Sequence, residues 1–251
     1  TKPSPHQQAA MKISVIIPAF NEAGNIGRLV TETYTVVPSG VLAEVVVVDD
    51  CSDDTTSSEV KALIGSHPGL RYLRHGSRCG QSAAMRTGIA AAASGVVATL
   101  DGDGQNDPAD LVRLLAKLAP PGTRGPALVG GVRASRKAES KKRWASKIGN
   151  WARRRVLNDD CPDSGCGIKV YWRDAFLRLP FFTSFHRYLP ALFLIYGHEV
   201  CYVPVNDRPR LAGKSKYNNI GRALIGIYDL IGIVWLRRRT KIPTVVEDKN
   251  S

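Results

Sequence analysis

The stretch 99–108, TLDGDGQNDP, sets Asp101 and Asp103 one residue apart, with Gln105 and Asp107 close behind, directly after an apolar run. Two chemistries fit that pattern. Asp, Gly, Asn and Pro are all turn formers, which makes a solvated loop the plain reading. Clustered oxygen ligands equally suit Mg²⁺ or Mn²⁺, which takes one or two carboxylates together with substrate phosphates. Two more polar clusters follow apolar runs in the same way, PAFNE at 18–22 and DDCSDD at 49–54. Further on, NDRPRLAGKSKYN at 206–218 crowds Arg208, Arg210, Lys214, Ser215 and Lys216 onto one Gly-containing stretch. Arg forks and Lys point charges are natural partners of phosphate oxygens.

The elements that must position these residues alternate. KISVIIPAF (12–20), AEVVVVDD (43–50), LRYLRH (70–75) and VVATLDGD (96–103) read as short strands, rich in β-branched residues. Between them, 21–37 spaces Ile26, Leu29, Val30 and Tyr34 on one helical face, with Asn21 as its expected cap. The stretches 51–66 and 80–95 supply a loop with a helix and an Ala-rich helix. Strands alternating with helices predict an α/β fold with a mostly parallel central sheet flanked by helices. In such sheets ligands sit beyond the carboxyl ends of the strands, so the three polar clusters are expected along one edge. No GxxxxGK[ST] loop and no G-x-G-x-x-G follows a strand. A nucleotide bound here therefore needs another way to neutralise its diphosphate, and a metal held by carboxylates is one.

The chain has 251 residues, 43% hydrophobic and 23% charged, which excludes a wholly disordered or collagen-like protein and allows one large domain. Residues 1–10 are polar and aperiodic and read as a disordered lead-in. A formal net charge of +13 calls for an anionic partner: nucleic acid, an acidic membrane or phosphorylated substrates. Neither RNP aromatics nor zinc-finger spacing is present, which argues against nucleic acid. Five scattered cysteines, with Cys161 and Cys166 lacking a second pair, read as reduced thiols of a cytoplasmic protein. No secretory leader is evident at the start of the sequence.

Taken together, VIIPAFNEAGNI, VVVVDDCSDDT, GQSAAMRTG and TLDGDGQNDP resemble family 2 glycosyltransferases of the GT-A fold, and more closely the polyprenyl-phosphate glycosyltransferases of the dolichyl-phosphate mannosyltransferase type. DSGCGIKVYWRDAF, HRYLPAL and DRPRLAGKSKYN match the same branch, so the likeness runs over about residues 11 to 236. The resemblance implies that Pro18, Ala19, Asn21 and Glu22 line a nucleotide pocket and that Asp50 contacts the nucleoside; the alternative is that Asp49 and Asp50 cap the following loop. It implies a metal set of Asp101, Asp103 and Gln105, with Gln81 shaping the donor site or merely opening its helix. Arg133 falls near the sugar or acceptor phosphate, and Asp163, Ser164, Gly165 and Gly167 border the acceptor site or form a tight turn. His186 and Arg187 are candidate contacts to a lipid phosphate. Arg208, Arg210, Lys214, Ser215 and Lys216 fall on a loop that closes over the diphosphate.

Two stretches suggest a membrane surface. Residues 133–155 interleave Lys and Arg with Trp144, Ile148 and Trp151, the pattern of a helix in an anionic headgroup region or of a subunit contact in a homo-oligomer. The segment NIGRALIGIYDLIGIVWLRRRTK at 219–241 carries Asp229 and is too short in its apolar part to span a bilayer. It reads as a C-terminal amphipathic interface helix ending in Arg237, Arg238 and Arg239, or as a core helix. The expected organisation is a lead-in at 1–10, a GT-A domain at 11–217, and an interfacial helix with a polar tail at 218–251.

The implied reaction is inverting transfer of a sugar from a UDP- or GDP-sugar to a polyprenyl phosphate at the cytoplasmic membrane face, with Mg²⁺ or Mn²⁺. A phosphate oxygen is already anionic near neutral pH and attacks without a dedicated general base. Two rival classes remain: a sugar nucleotidyltransferase, which is expected to carry a Gly-rich basic loop where this chain has PAFNEAGN, and a noncatalytic scaffold for nucleotide sugars.

Overall fold

The computed structural model describes residues 11–133, 155–209 and 219–243. The four runs read as strands and three further ones assemble into one seven-stranded sheet: β1 (Ile13–Ala19), β2 (Leu42–Asp49), β3 (Leu70–Arg74), β4 (Val96–Thr99), β5 (Pro126–Arg133), β6 (Lys169–Trp172) and β7 (Glu199–Val205). Their order across the sheet is β3-β2-β1-β4-β6-β5-β7. All pairings are parallel except the two that β6 makes, with β4 and with β5. The expected mostly parallel sheet is therefore present, with one reversed strand inserted in its middle.

Burial on both faces explains the continuous apolar character of β1 and β2, since helices cover each side of a parallel sheet. One layer comprises α1 (Ile26–Val36), α2 (Thr56–Leu63) and α4 (Asp110–Leu115), which bury Ile26, Leu29, Val60, Leu111 and Leu114. The opposite layer contains α3 (Gln81–Ala91), α5 (Arg173–Leu177), α6 (Leu189–Ile195) and α7 (Asn219–Arg239). There Met85, Ile89, Phe176, Phe185, Phe193 and Ile233 form the second apolar cluster. Tyr171 stacks on Phe176 with ring centroids 5.4 Å apart.

Asn21 does not cap α1. The helix opens after Asn25, and Asn21 sits in a turn at φ 52°. Its amide grips the next loop instead, donating to Asp53 Oδ1 at 2.6 Å and accepting from the Asp53 backbone N–H at 3.0 Å. A side chain that can hydrogen-bond locally tolerates this left-handed backbone, which is why an Asn stands there.

α7 packs one face on the domain, as the core-helix reading expects, and leaves the other open. One face packs on the domain: Ile233 is 1% exposed, Tyr188 donates to the Gly226 carbonyl at 3.0 Å, and Arg237 donates to the carbonyls of Val156 and Leu157. The other face presents Ile227, Tyr228, Ile231 and Trp235 to solvent, each more than half exposed. Among the described residues no helix is long and apolar enough to cross a membrane. The readings for residues 1–10, for the basic stretch with Trp144, Ile148 and Trp151, and for the final polar tail lie outside the described residues.

Candidate active site

The strand order reverses between β1 and β4, the place where an open α/β sheet leaves a crevice at its carboxyl edge. Two adjoining cavities of about 400 and 220 Å³ occupy it and share Pro18, Arg78, Gly80, Gln81 and Asp101 along their walls. The smaller is completed by Ala19, Phe20, Glu22, Asp50, Ala84 and Asp103. The larger runs on to Ser164–Gly167, Lys169 and the turn carrying His186 and Arg187. Thus the ends of β1, β2 and β4 do converge, as the strand-end clusters predicted.

Asp49 and Asp50 divide their work. Asp49 is fully buried and accepts from Ser52 N–H, Tyr72 O–H and Arg74. Burial by itself lifts its pKa, but hydrogen bonds from Ser52 and Tyr72 with the Arg74 charge outweigh that and hold it below the usual range. Asp50 instead reaches the smaller cavity, accepting from Cys79 N–H at 2.8 Å and Gly80 N–H at 2.7 Å, with His75 Nδ1 2.8 Å away. Gly80 has φ 90°, a backbone that favours glycine and lets both N–H groups turn toward one carboxylate.

Asp101 lies at the junction of the two cavities. Gln81 Nε2 donates to its Oδ1 at 2.8 Å, and the Asn106 side chain accepts from its backbone N–H at 3.0 Å. Its carboxylate rests directly against Gly167, where a Cβ would overlap it. Burial first, and then the charge of Asp103, push its pKa up to about 6; Lys169, Gln81 and Arg133 pull the other way. Asp103 is 8% exposed, accepts from the Gln105 backbone N–H at 3.1 Å, and lines the smaller cavity. Two adjacent carboxylates, oxygen-only donors with an open cavity beside them, fit a hard divalent cation.

Several expected residues do other work. The Gln105 side chain points its amide at the Arg208 carbonyl, 3.4 Å away, and is not among the residues lining either cavity. Arg208 joins Glu32 at 2.7 Å and Asp107 at 2.8 Å, and its N–H donates to the Gln105 carbonyl. With the Asn106–Asp207 bridge, it pins the acidic loop to the segment after β7. Arg133 forks onto Asp163 through contacts of 2.6 and 2.8 Å, with both side chains largely buried. The Asp163 hydrogen bond, against the opposing effect of burial, raises the Arg133 pKa further. Arg133 is thereby a clamp on the 163–167 turn, not a cation facing the cavities. Arg210, Lys214, Ser215 and Lys216 lie outside the described residues.

His186 meets Ser82 Oγ at 2.8 Å through Nδ1, while Arg187 lines the larger cavity beside it. Lys169, Arg78 and Phe20 were not singled out from the sequence. Antiparallel pairing sets Lys169 opposite Thr99 at the end of β4, and the buried ammonium donates to the Cys166 carbonyl beside Asp101. A lysine inside the otherwise apolar GIKVYW was the available signal. Arg78 stacks over the Phe20 ring, 4.1 Å from its centroid, a contact between separate strand ends that no spacing predicts.

A mostly parallel sheet with its acids gathered at this crevice is a GT-A glycosyltransferase fold. The family model for glycosyl transferase family 2 matches residues 14–179, and the chain belongs to that family. It is 30% identical over 237 residues to a dodecaprenyl-phosphate galacturonate synthase of Rhizobium johnstonii, covering 91% of this chain and 68% of that protein. It is 32% identical over 225 residues to an undecaprenyl-phosphate 4-deoxy-4-formamido-L-arabinose transferase of Salmonella paratyphi B, covering 88% of this chain and 66% of the other. The chain thus spans about two thirds of the length of these curated relatives. Glucosyl-3-phosphoglycerate synthase from Mycobacterium tuberculosis, crystallised with Mn²⁺, UDP-glucose and phosphoglyceric acid, superposes with a TM-score of 0.68 at 19% identity, over 92% of this chain and 81% of that one. At that identity the likeness is one of fold.

Proposed function

We propose that this chain transfers a sugar from a UDP- or GDP-sugar to a polyprenyl phosphate, with inversion at the anomeric carbon, on the cytoplasmic face of a membrane. The observation that carries the reading is the convergence of Asp50, Asp101, Asp103 and Gln81 on one two-lobed cleft. The names of the curated relatives support the acceptor class, and the solved neighbours with UDP and Mn²⁺ or Mg²⁺ support the donor class.

In this reading the smaller cavity takes the nucleoside, with Asp50 addressing it and Pro18, Ala19 and Glu22 forming the wall. Asp103, with Asp101 behind it, would hold Mg²⁺ or Mn²⁺, which supplies charge neutralisation for the departing nucleoside diphosphate. Gln81 keeps Asp101 oriented, Asn21 and Arg208 fix the loops that carry the acids, and Arg210, Lys214, Ser215 and Lys216 supply donors to the diphosphate. The larger cavity takes the acceptor phosphate, drawn by the cations Lys169, Arg78 and Arg187. One phosphate oxygen attacks the anomeric carbon opposite the leaving group. Because that oxygen is anionic already, no side chain has to accept a proton. The outward apolar stripe of α7 and the cations Arg238 and Arg239 face the anionic headgroups.

The test is calorimetric titration with a panel of UDP- and GDP-sugars in Mn²⁺ and again in EDTA, followed by transfer assays onto short polyprenyl phosphates. Metal-dependent binding of one donor and product formation on the lipid phosphate support the reading. A folded, metal-loaded protein that binds no donor overturns it, and donor binding without any transfer favours a noncatalytic scaffold.

A further inference from the structure

A second cluster of metal-ligating groups stands apart from the oxygen-only pair at Asp101 and Asp103. Asp50, His75 and Cys79 come from the end of β2, the end of β3 and the turn before α3. Their carboxylate oxygen, ring nitrogen and Sγ all lie within 4.8 Å of one another. His75 is already oriented: Nδ1 is 2.8 Å from Asp50 Oδ1, while Nε2 is 3.0 Å from Thr87 Oγ1 on α3. A carboxylate only accepts, so Nδ1 carries the imidazole proton in the metal-free chain and Nε2 accepts from the Thr87 hydroxyl. An ion bound at Nδ1 moves that proton to Nε2, which then donates to Thr87 Oγ1, the kind of hydrogen bond that orients metal-bound imidazoles. The Cys79 side chain is exposed, and its Sγ lies within 4.8 Å of both other ligand atoms.

We propose that Asp50, His75 and Cys79 form a Zn²⁺ site at the rim of the nucleoside cavity, and that its occupancy blocks donor binding. The donor set decides the ion. One oxygen, one nitrogen and one sulfur suit tetrahedral zinc, with Zn–N near about 2.0 Å and Zn–S about 2.3 Å, and leave a fourth position for water. Mg²⁺ asks for oxygen ligands in octahedral geometry, so the two cations sort between the two sites. Binding costs the Cys79 thiol its proton, released to solvent, and the thiolate and the Asp50 carboxylate then balance the ion's two charges. Zn²⁺ at this site takes the Asp50 oxygen away from the nucleoside, so metal and donor compete. The competition rests on the nucleoside role proposed for Asp50; the ion site itself does not.

Co²⁺ titration of the full chain, followed by absorption, tests the site directly, because a thiolate ligand gives a sulfur-to-cobalt charge-transfer band that oxygen ligands do not. The band is expected in the wild type and in Asp103→Asn, and is expected to vanish in Cys79→Ser and in His75→Ala, with circular dichroism confirming that each variant is folded. No band in the wild type, or a band that survives Cys79→Ser, overturns the site. UDP titration in excess Mg²⁺ then reads the competition: added Zn²⁺ should weaken UDP by about tenfold or more in the wild type and leave the affinity of Cys79→Ser where it was without Zn²⁺. A cobalt band together with unaltered UDP affinity overturns the block alone, whereas a protein that never binds UDP counts against the nucleotide reading.

Discussion

The carboxylate of Asp101, at the end of β4, lies in van der Waals contact with the backbone of Gly167, just before β6, at a point where no side chain fits. Thr99 Oγ1 donates to the Gly167 carbonyl at 3.0 Å, so the two strand ends are also tied by a hydrogen bond. Gly167→Ala must push the Asp101 carboxylate out of place. Misplacement of a reacting group by about 1 Å costs about a hundredfold in rate. A loss of that order in transfer, with an unchanged far-UV spectrum, is the expected outcome; full activity would show that the position of Asp101 does not matter.

The raised pKa of Asp101 has two consequences with a definite sign. A carboxyl whose folded-state pKa is about 6 favours the fold when protonated; that contribution is complete below the ordinary carboxylate range and is lost as pH rises through 6. Metal-free Asp101→Asn should therefore match or exceed wild-type thermal stability at neutral pH, with the gap closing near about pH 4. A proton also competes with a cation for Asp101, so Mn²⁺ affinity should fall below pH 6, approaching about tenfold per pH unit. Calorimetry across that range checks it, and a flat profile removes Asp101 from the metal set.

Asp49 and Asp50 are adjacent in sequence and opposite in role. Asp49→Asn weakens a buried network and should cost about 2 kcal/mol in urea unfolding while sparing nucleotide affinity. Asp50→Asn should weaken UDP by about tenfold or more. Reversed results would exchange the assignments.

Arg133 and Asp163 form a largely buried two-pronged pair. Removing one partner of such a pair strands the other's charge, so Arg133→Ala should lower stability by about 3–5 kcal/mol. Arg133→Lys, which cannot reproduce the fork, should recover only part of it. Thermal unfolding separates this from a purely chemical role, in which stability would not change.

The outward face of α7 predicts membrane behaviour separable from folding. Ile231 and Trp235 are 64% and 62% exposed, so replacing both with Ser should leave the melting temperature near that of the wild type while reducing sedimentation with phosphatidylglycerol vesicles. Replacing Arg238 and Arg239 with Gln should weaken vesicle binding by about 1 kcal/mol each and reduce its salt dependence. Arg237 is left out because its donors cap the carbonyls of Val156 and Leu157. Sedimentation that ignores all four changes would refute the membrane role.

The sequence by itself determined the framework. Runs such as VVVV at 45–48 suit strands buried on both faces of a helix-covered parallel sheet, and acids set just past such runs then gather at its carboxyl edge. That much made Asp50, Asp101 and Asp103 legible as neighbours, and the resemblance supplied the family. Local pattern could not say which polar side chain faces the cleft and which holds a loop. Asn21, Gln105, Arg133 and Arg208 share the residue types of a phosphate site, yet the described structure commits their hydrogen bonds to Asp53, the Arg208 carbonyl, Asp163, and Glu32 with Asp107. Each of those partners lies 30 or more residues away, so only the folded chain brings them together. The same holds for Lys169, which antiparallel β6 carries to the end of β4, and for Asp50, His75 and Cys79, whose ligand atoms meet because β2 and β3 end side by side. Composition and periodicity report what a segment buries; which partner a polar atom finds is set by long-range register, and that is a property of the tertiary structure alone.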